Sequence, residues 1–227
     1  MSDPVTGAGD NAPARGGLMS RLREPLFDRS IAIVACTPYI YVVYTQFRAG
    51  ILHFTTIVLM AHMLLWIGMM SIRHSPVRVT SNPWYWLLAF MATYWPYLVI
   101  RFTETGTALT PHWIPAGISM LSVCLGIYAR LSLGRNIGIV PAQRKLVTHG
   151  AYGHVRHPIY TALFISLCAA VLQRYSPTNL AIAVIGGVLF AIKGIVEERF
   201  LAEDAEYRQY MQDVPWRWIR CRIRRLV

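Results

Sequence analysis

Residues Leu146 to Tyr160 read Leu-Val-Thr-His-Gly-Ala-Tyr-Gly-His-Val-Arg-His-Pro-Ile-Tyr, a polar insert between two apolar runs long enough to cross a membrane. Pro158 stands where the insert turns back into apolar sequence, and proline suits a first helical position, where an N–H would be unpaired anyway. Arg156 and His157 therefore stand at a helix mouth. Free backbone N–H groups and the positive end of the helix dipole favour an anion there, and Arg156 adds a fixed charge with a forked donor geometry. A carboxylate or a phosphate is the natural guest. A topology signal at Arg156 and a helix start at Pro158 would explain those two residues, but would leave Tyr152, His157 and Tyr160 without a role.

The sequence around this insert is membrane sequence. The chain has 227 residues, 55% of them hydrophobic and 15% charged, and a mean hydropathy of +0.39, too apolar for an ordinary soluble domain. On a template of about 20 apolar residues per span, spans fall at Ser30 to Phe47, Ile51 to Met70, Pro83 to Ile100, Trp113 to Leu131, Pro158 to Gln173 and Asn179 to Val196. The expected fold is all-α: a polytopic integral membrane bundle of five to six spans with a cytosolic C-terminal helix. Residues 1–29 form a disordered and amphipathic N-terminal segment, 30–131 the first transmembrane helices, and 132–227 a C-terminal region with two further membrane helices and a cytosolic helix. Val196, Phe200, Tyr207 and Met211 extend the helical spacing of the last span to about Gln212, so that Glu197 and Glu198 leave the bilayer on a continuing helix. Gly186, Gly187 and Gly194 give that span a small face for the fifth.

Charge sets the orientation. With the N-terminus in the cytosol, only Arg48, Arg101 and Arg174 of the 22 Lys and Arg fall in outer loops, and such a bias fixes topology. Both termini, the Gly134 to His157 loop and the end of the last span then share the cytosolic side. The net charge of +11 is membrane charge on this reading, and no nucleic-acid partner is expected. Arg217, Arg220, Arg222, Arg224 and Arg225, interleaved with Trp216, Trp218 and Ile219, read as an interfacial anchor on anionic lipid. Cys36, Cys124, Cys168 and Cys221 form no close pair and read as small core residues. His149, His154 and His157 fit no standard metal spacing, so no metal site is expected. His53, His62 and His112 read as packed or interfacial polar residues.

Two adjacent acids at a membrane boundary repel each other and ask for a partner. Taken with Gly150, Tyr152 and the Arg156-His157-Pro158-Ile159-Tyr160 run, Glu197-Glu198 resembles the isoprenylcysteine carboxyl methyltransferase family and its relatives, the phospholipid methyltransferases. The resemblance covers roughly Gly134 to Trp216, with Ala162 where the family usually has glycine. It implies a site for S-adenosylmethionine built from Gly150, Tyr152, Arg156, His157, Pro158, Tyr160, Glu197, Glu198 and Tyr207. Glu197 or Glu198 would take the ammonium or ribose hydroxyls, Arg156 and His157 the carboxylate, and the tyrosines the ring and hydroxyl contacts.

Methyl transfer is an in-line displacement in which alignment and exclusion of water matter most. A carboxylate acceptor needs a positive group to place it, available in Arg135, Arg144 or Arg156. An amine acceptor needs a base, available in Glu198 or His149. The implied function is an integral membrane methyltransferase of the isoprenylcysteine carboxyl type, acting on a lipophilic small molecule or lipidated substrate among membrane lipids. A phospholipid N-methyltransferase or a small-molecule methyltransferase of the same family is the near alternative. An NADPH-dependent sterol-reductase-like enzyme, with Arg144-Lys145 for a 2′-phosphate, and a non-enzymatic membrane scaffold are the further ones.

Overall fold

A computed structural model describes residues 30, 34, 36–48, 50, 54–102 and 106–220. The expectations for residues 1–29, His53, Cys221, Arg222, Arg224 and Arg225 lie outside the described residues. Helices stand at each of the six expected positions: α1 (Thr37–Arg48), α2 (Phe54–Ser71), α3 (Pro83–Phe102), α4 (Trp113–Leu133), α5 (Pro158–Gln173) and α6 (Pro177–Leu201). Among the described residues, two are long and apolar enough to cross a membrane, α4 with its short extension to Asn136, and α6. Leu121, Leu131, Val184 and Val188 stand exposed on their outer faces, as lipid-facing side chains do and core side chains do not.

The ends of these helices are written locally. Pro158 opens α5 and Pro177 opens α6, where each ring removes an N–H that the first turn leaves unpaired. Ser176 caps α6, its hydroxyl accepting from Asn179 N at 3.1 Å. The expected continuation of α6 to Gln212 is not what forms. The helix stops at Leu201 and a separate helix, α7 (Ala205–Asp213), starts after Asp204. Asp204 is the cause: its carboxylate accepts from Glu206 N at 2.7 Å, the geometry of an N-cap, and an N-cap residue has extended backbone that interrupts a helix.

Small residues decide which helices approach. Ser122 Oγ in α4 donates to Ala162 O in α5 at 2.6 Å, and a Cβ added at Gly126 would lie 3.7 Å from the Ala162 methyl. That is ordinary contact; the tight neighbours of an added Cβ at 126 would be His62 Cε1 at 3.0 Å and Arg130 Nη1 at 3.1 Å. Of the α6 glycines, Gly194 lies against Tyr160 and Gly187 against Phe164, both in α5, as expected. Gly186 instead faces Trp95 of α3, whose ring carbon would lie 2.4 Å from an added Cβ. Trp95 is held there, its Nε1 donating to Ile182 O at 2.5 Å. Cys36 is buried, but Cys124 and Cys168 are exposed on the outside of the bundle and not in its core.

The connections gather on two faces. On one, the two-residue strands β1 (Arg78–Val79) and β2 (Ala142–Gln143) pair antiparallel and join the α2–α3 connection to the α4–α5 connection. Arg135 Nε donates to Ile72 O at 2.7 Å and Arg144 Nε to His74 O at 3.0 Å. Arg78 lies over the Phe200 ring at 4.5 Å and pairs with Glu203 at 2.5 Å, and Gln143 bonds Asp204, so the end of α6 is tied to the same face. On the other, Thr107 and Tyr175 bridge the α3–α4 and α5–α6 connections. The polar insert, the end of α6 and α7 therefore share one end of the bundle.

Gly186→Ala is expected to lower stability by about 1–3 kcal/mol through overpacking against a fixed ring. Gly187→Ala, whose Cβ would meet Phe164 at an ordinary 3.9 Å, should leave it unchanged or slightly raised. Melting temperatures of the two variants in detergent check the contrast.

Candidate functional site

The insert folds back on the bundle because Gly150 allows it. Its φ is +60°, and a Cβ there would lie 2.5 Å from Ser132 Oγ at the end of α4, so both the backbone conformation and the space favour glycine. Ser132 Oγ accepts from Ala151 N at 3.1 Å, docking the short turn Gly150–Gly153 on α4. From there the chain delivers Arg156 and His157 to the start of α5, both buried.

They meet Glu198. Arg156 Nε donates to Glu198 Oε1 at 2.7 Å and Nη2 to Oε2 at 3.3 Å. His157 Nε2 lies 3.1 Å from Oε1, and Arg217 Nε donates to Oε2 at 2.7 Å. A carboxylate only accepts, so His157 carries its proton on Nε2. Arg156 and Glu198 are 7% and 2% exposed, deep enough that the pair holds only because both carboxylate oxygens are answered by directed donors. Arg156 Nη1 answers the carbonyl of Val214 at 2.7 Å. The anion invited by the mouth of α5 is the protein's own Glu198.

The same contacts anchor a C-terminal strap, residues 214–220. Arg156 N donates to Trp216 O and His157 N to Arg217 O, each at 2.8 Å, and Thr161 Oγ1 bonds Trp218 O. Trp218 packs edge-on against Phe164 at 5.8 Å. Arg217 and Trp218, expected on the membrane surface, are thus turned into the site, while Ile219 stays exposed and Arg220 reaches His154 at 3.5 Å.

Glu197, one residue earlier on α6, points elsewhere. Its Oε2 accepts from Tyr160 OH at 2.5 Å. The Tyr160 ring stacks on His157 at 5.1 Å and tilts against Phe190 at 5.4 Å, so the two acids are linked through a histidine–tyrosine stack. Tyr207 and Tyr210 of α7 close the outer side with their rings 5.7 Å apart, and Tyr210 OH donates to Tyr152 O at 2.8 Å. Burial pushes the Tyr207 phenol well above its ordinary range, with the Glu198 and Glu197 carboxylates adding to it. Burial does the same at Tyr152, opposed by Arg130 and reinforced by Glu197, and at Tyr210, opposed by Arg156. These phenols are neutral hydroxyl groups throughout the physiological range.

The structure thus brings together Tyr152, Arg156, His157, Tyr160, Glu197, Glu198 and Tyr207, with Pro158 as the helix start and Gly150 as the fold-back point. His149 is exposed and outside this cluster. Arg135 and Arg144 are stitched to the α2–α3 connection. Among the described residues no group of acids, histidines and cysteines could hold a metal. Sequence reasoning missed Tyr210, Lys193 and the inward turn of Arg217 and Trp218. For Lys193 a signal was there, a lone charge inside an apolar run. For the strap there was little, because its bonds run through backbone carbonyls.

Residues 112–207 match the family model of the phospholipid methyltransferases. The match takes in α4, the insert, α5, α6 and the start of α7, and supports a membrane methyltransferase. The resemblance read from Arg156 to Tyr160 and Glu197-Glu198 falls inside it. No curated protein matches the chain.

Glu198→Gln would leave Arg156 buried without its counter-charge, and breaking such a pair costs about 3–5 kcal/mol. The strap should loosen with it, opening a tryptic cleavage after Arg217 that mass spectrometry detects. Glu203→Gln removes an exposed partner of Arg78 and should cost under about 1 kcal/mol with no new cleavage.

Proposed function

We propose that this membrane methyltransferase uses S-adenosylmethionine and methylates a carboxylate on a lipophilic acceptor, as an isoprenylcysteine-type carboxyl O-methyltransferase. The single observation that carries the reading is the unequal state of the two acids. Glu198 is spent on Arg156, His157 and Arg217, whereas Glu197 accepts one bond, from Tyr160. An acid that a neighbouring hydroxyl half satisfies is fitted to a cation or to ribose hydroxyls.

The residues present fit the cofactor by their donor set. Beside Glu197 stand the Tyr152 and Tyr207 rings, the stacked His157–Tyr160 pair, and Trp218, whose buried Nε1 has no hydrogen-bond partner. Glu197 would hold the ammonium or the ribose hydroxyls, Tyr152, Tyr160 and Tyr207 the adenine or hydroxyl contacts, and the unspent N–H groups of Arg156 the carboxylate. When bound, the cofactor supplies a sulfonium methyl for in-line transfer.

A carboxylate acceptor is favoured because no acid is left over as a base once Glu197 holds the cofactor. Glu198, the nearest candidate, is buried among three donors, and His149 is exposed away from the cluster. Methylation of an amine would need one of them to take a proton, while a carboxylate is already the nucleophile. What this chain's residues contribute is alignment and a dry surround, in which the strap and α7 cover the site from one end.

The proposal includes a multi-pass topology with this end of the bundle and both termini in the cytosol. Arg78, Arg135, Arg144, Lys145, Arg156, Arg217 and Arg220 cluster here, whereas the opposite end has Arg48 and Arg174 among the described side chains. That asymmetry is the one that orients membrane proteins.

Purified protein titrated with S-adenosylmethionine should bind it. Glu197→Gln should weaken binding by at least about tenfold, ~1.4 kcal/mol, with no loss of melting temperature, whereas Glu198→Gln should lose both. Labelled methyl should pass to N-acetyl-S-farnesylcysteine and not to phosphatidylethanolamine. Binding untouched by Glu197→Gln, or transfer to the amine lipid alone, would overturn the assignment.

A further inference from the structure

Lys193 lies in α6, 4% exposed, four residues before Glu197 and therefore about 6 Å deeper along the helix on the same face. A charge at that depth is expensive unless something holds it. What holds it is modest. Nζ donates to the neutral Thr93 hydroxyl of α3 at 3.2 Å and lies 5.6 Å and 6.0 Å from the centres of the Tyr160 and Phe190 rings. An ammonium has three donors, and among the described residues no carboxylate comes within ion-pairing distance of this one. Glu197, its nearest acid on α6, is turned to Tyr160. Ring faces steady a cation without satisfying its N–H groups, so the site keeps donor capacity for an anionic oxygen.

Glu197 stands at the outer end of the α6 stripe, towards α7 and the strap, and Lys193 stands one turn deeper among apolar side chains, with Tyr160 reaching both, its hydroxyl on Glu197 and its ring near the ammonium. The geometry points to Lys193 as the acceptor subsite, its ammonium receiving the anionic oxygen, carboxylate or phosphate, of a lipophilic acceptor. This rests on the methyltransferase reading of the same site and deepens it by naming what selects the acceptor. A cationic headgroup meets a like charge there in a low-dielectric surround, which disfavours it. Neither the insert nor the Glu pair conveys this selection; it depends on one side chain.

The competing role is structural, a Lys193–Thr93 staple between α6 and α3, and binding without turnover separates the two. Wild-type protein in nanodiscs is titrated, with no cofactor present, with N-acetyl-S-farnesylcysteine and its neutral carboxamide, and with farnesyl monophosphate and farnesol, following tryptophan fluorescence. In at least one pair the anion should bind about tenfold more tightly than its neutral partner, and the pair that shows this identifies the headgroup chemistry. Lys193→Met should erase the gap, Lys193→Arg should keep most of it, and Thr93→Val should keep it while lowering the melting temperature. Replacing a buried charge by an apolar chain of similar volume is commonly tolerated, and the folded state of Lys193→Met is checked by S-adenosylmethionine affinity within about twofold of wild type. Equal binding of anion and neutral partner in the wild type, or a gap that survives Lys193→Met, overturns the proposal. A wild type that binds the anions through Lys193 but not the cofactor overturns the methyltransferase reading instead.

Discussion

One buried carboxylate holds the site end of this protein together. Glu198 takes N–H bonds from the start of α5 through Arg156 and His157, and from the C-terminal strap through Arg217. Arg156 in turn holds Val214 beyond α7. The start of α5 and the strap, distant in sequence, are thus fixed to the end of α6 by one anion. The cost of burying the charges is offset by geometry and not by Coulomb attraction alone, since the Nε donors of Arg156 and Arg217 are both short, at 2.7 Å, and fall on different carboxylate oxygens. That also explains why arginine and not lysine stands at 156: the fork reaches both carboxylate oxygens and a carbonyl at once.

Much of this was legible in the sequence, and the parts that were not share a cause. Pro158, Arg156, His157 and the Glu pair are side chains acting through their own chemistry; spacing alone left the Glu pair readable as a solvated helix exit, and the family resemblance is what put it beside the mouth of α5. Besides the Arg217 guanidinium, the strap acts through Trp216 O, Arg217 O and Trp218 O, and a carbonyl has no residue type to read. Its arginines and tryptophans looked like a lipid anchor because that is what their composition resembles. The break at Asp204 was missed because the apolar spacing from Val196 to Met211 survives it, while the cap that interrupts the helix depends on one polar residue.

The adjacency of the two acids has a geometric logic. Neighbours on an α-helix point about 100° apart, so consecutive glutamates cannot share a partner and need not repel through a shared site. Glu198 turns towards the arginines and becomes structure. Glu197 turns towards Tyr160 and stays chemically available.

The same helical arithmetic places Lys193 and not some other position. Residues 193 and 197 lie on one stripe of α6, and Tyr160 of α5 spans them, its hydroxyl on Glu197 and its ring face near the Lys193 ammonium. A phenol donating to a carboxylate carries more electron density in its ring, which makes the face a better seat for a cation. Acid, phenol and ammonium therefore form one polarised series, in which each member is steadied by the next and no member is neutralised. Gly194 lies under the same ring, where an added Cβ would meet Tyr160 Cδ2 at 3.4 Å and Cε2 at 3.5 Å, in ordinary contact, so the series is held by the hydroxyl on Glu197 and the ring beside Lys193 and not by the absence of a side chain at 194.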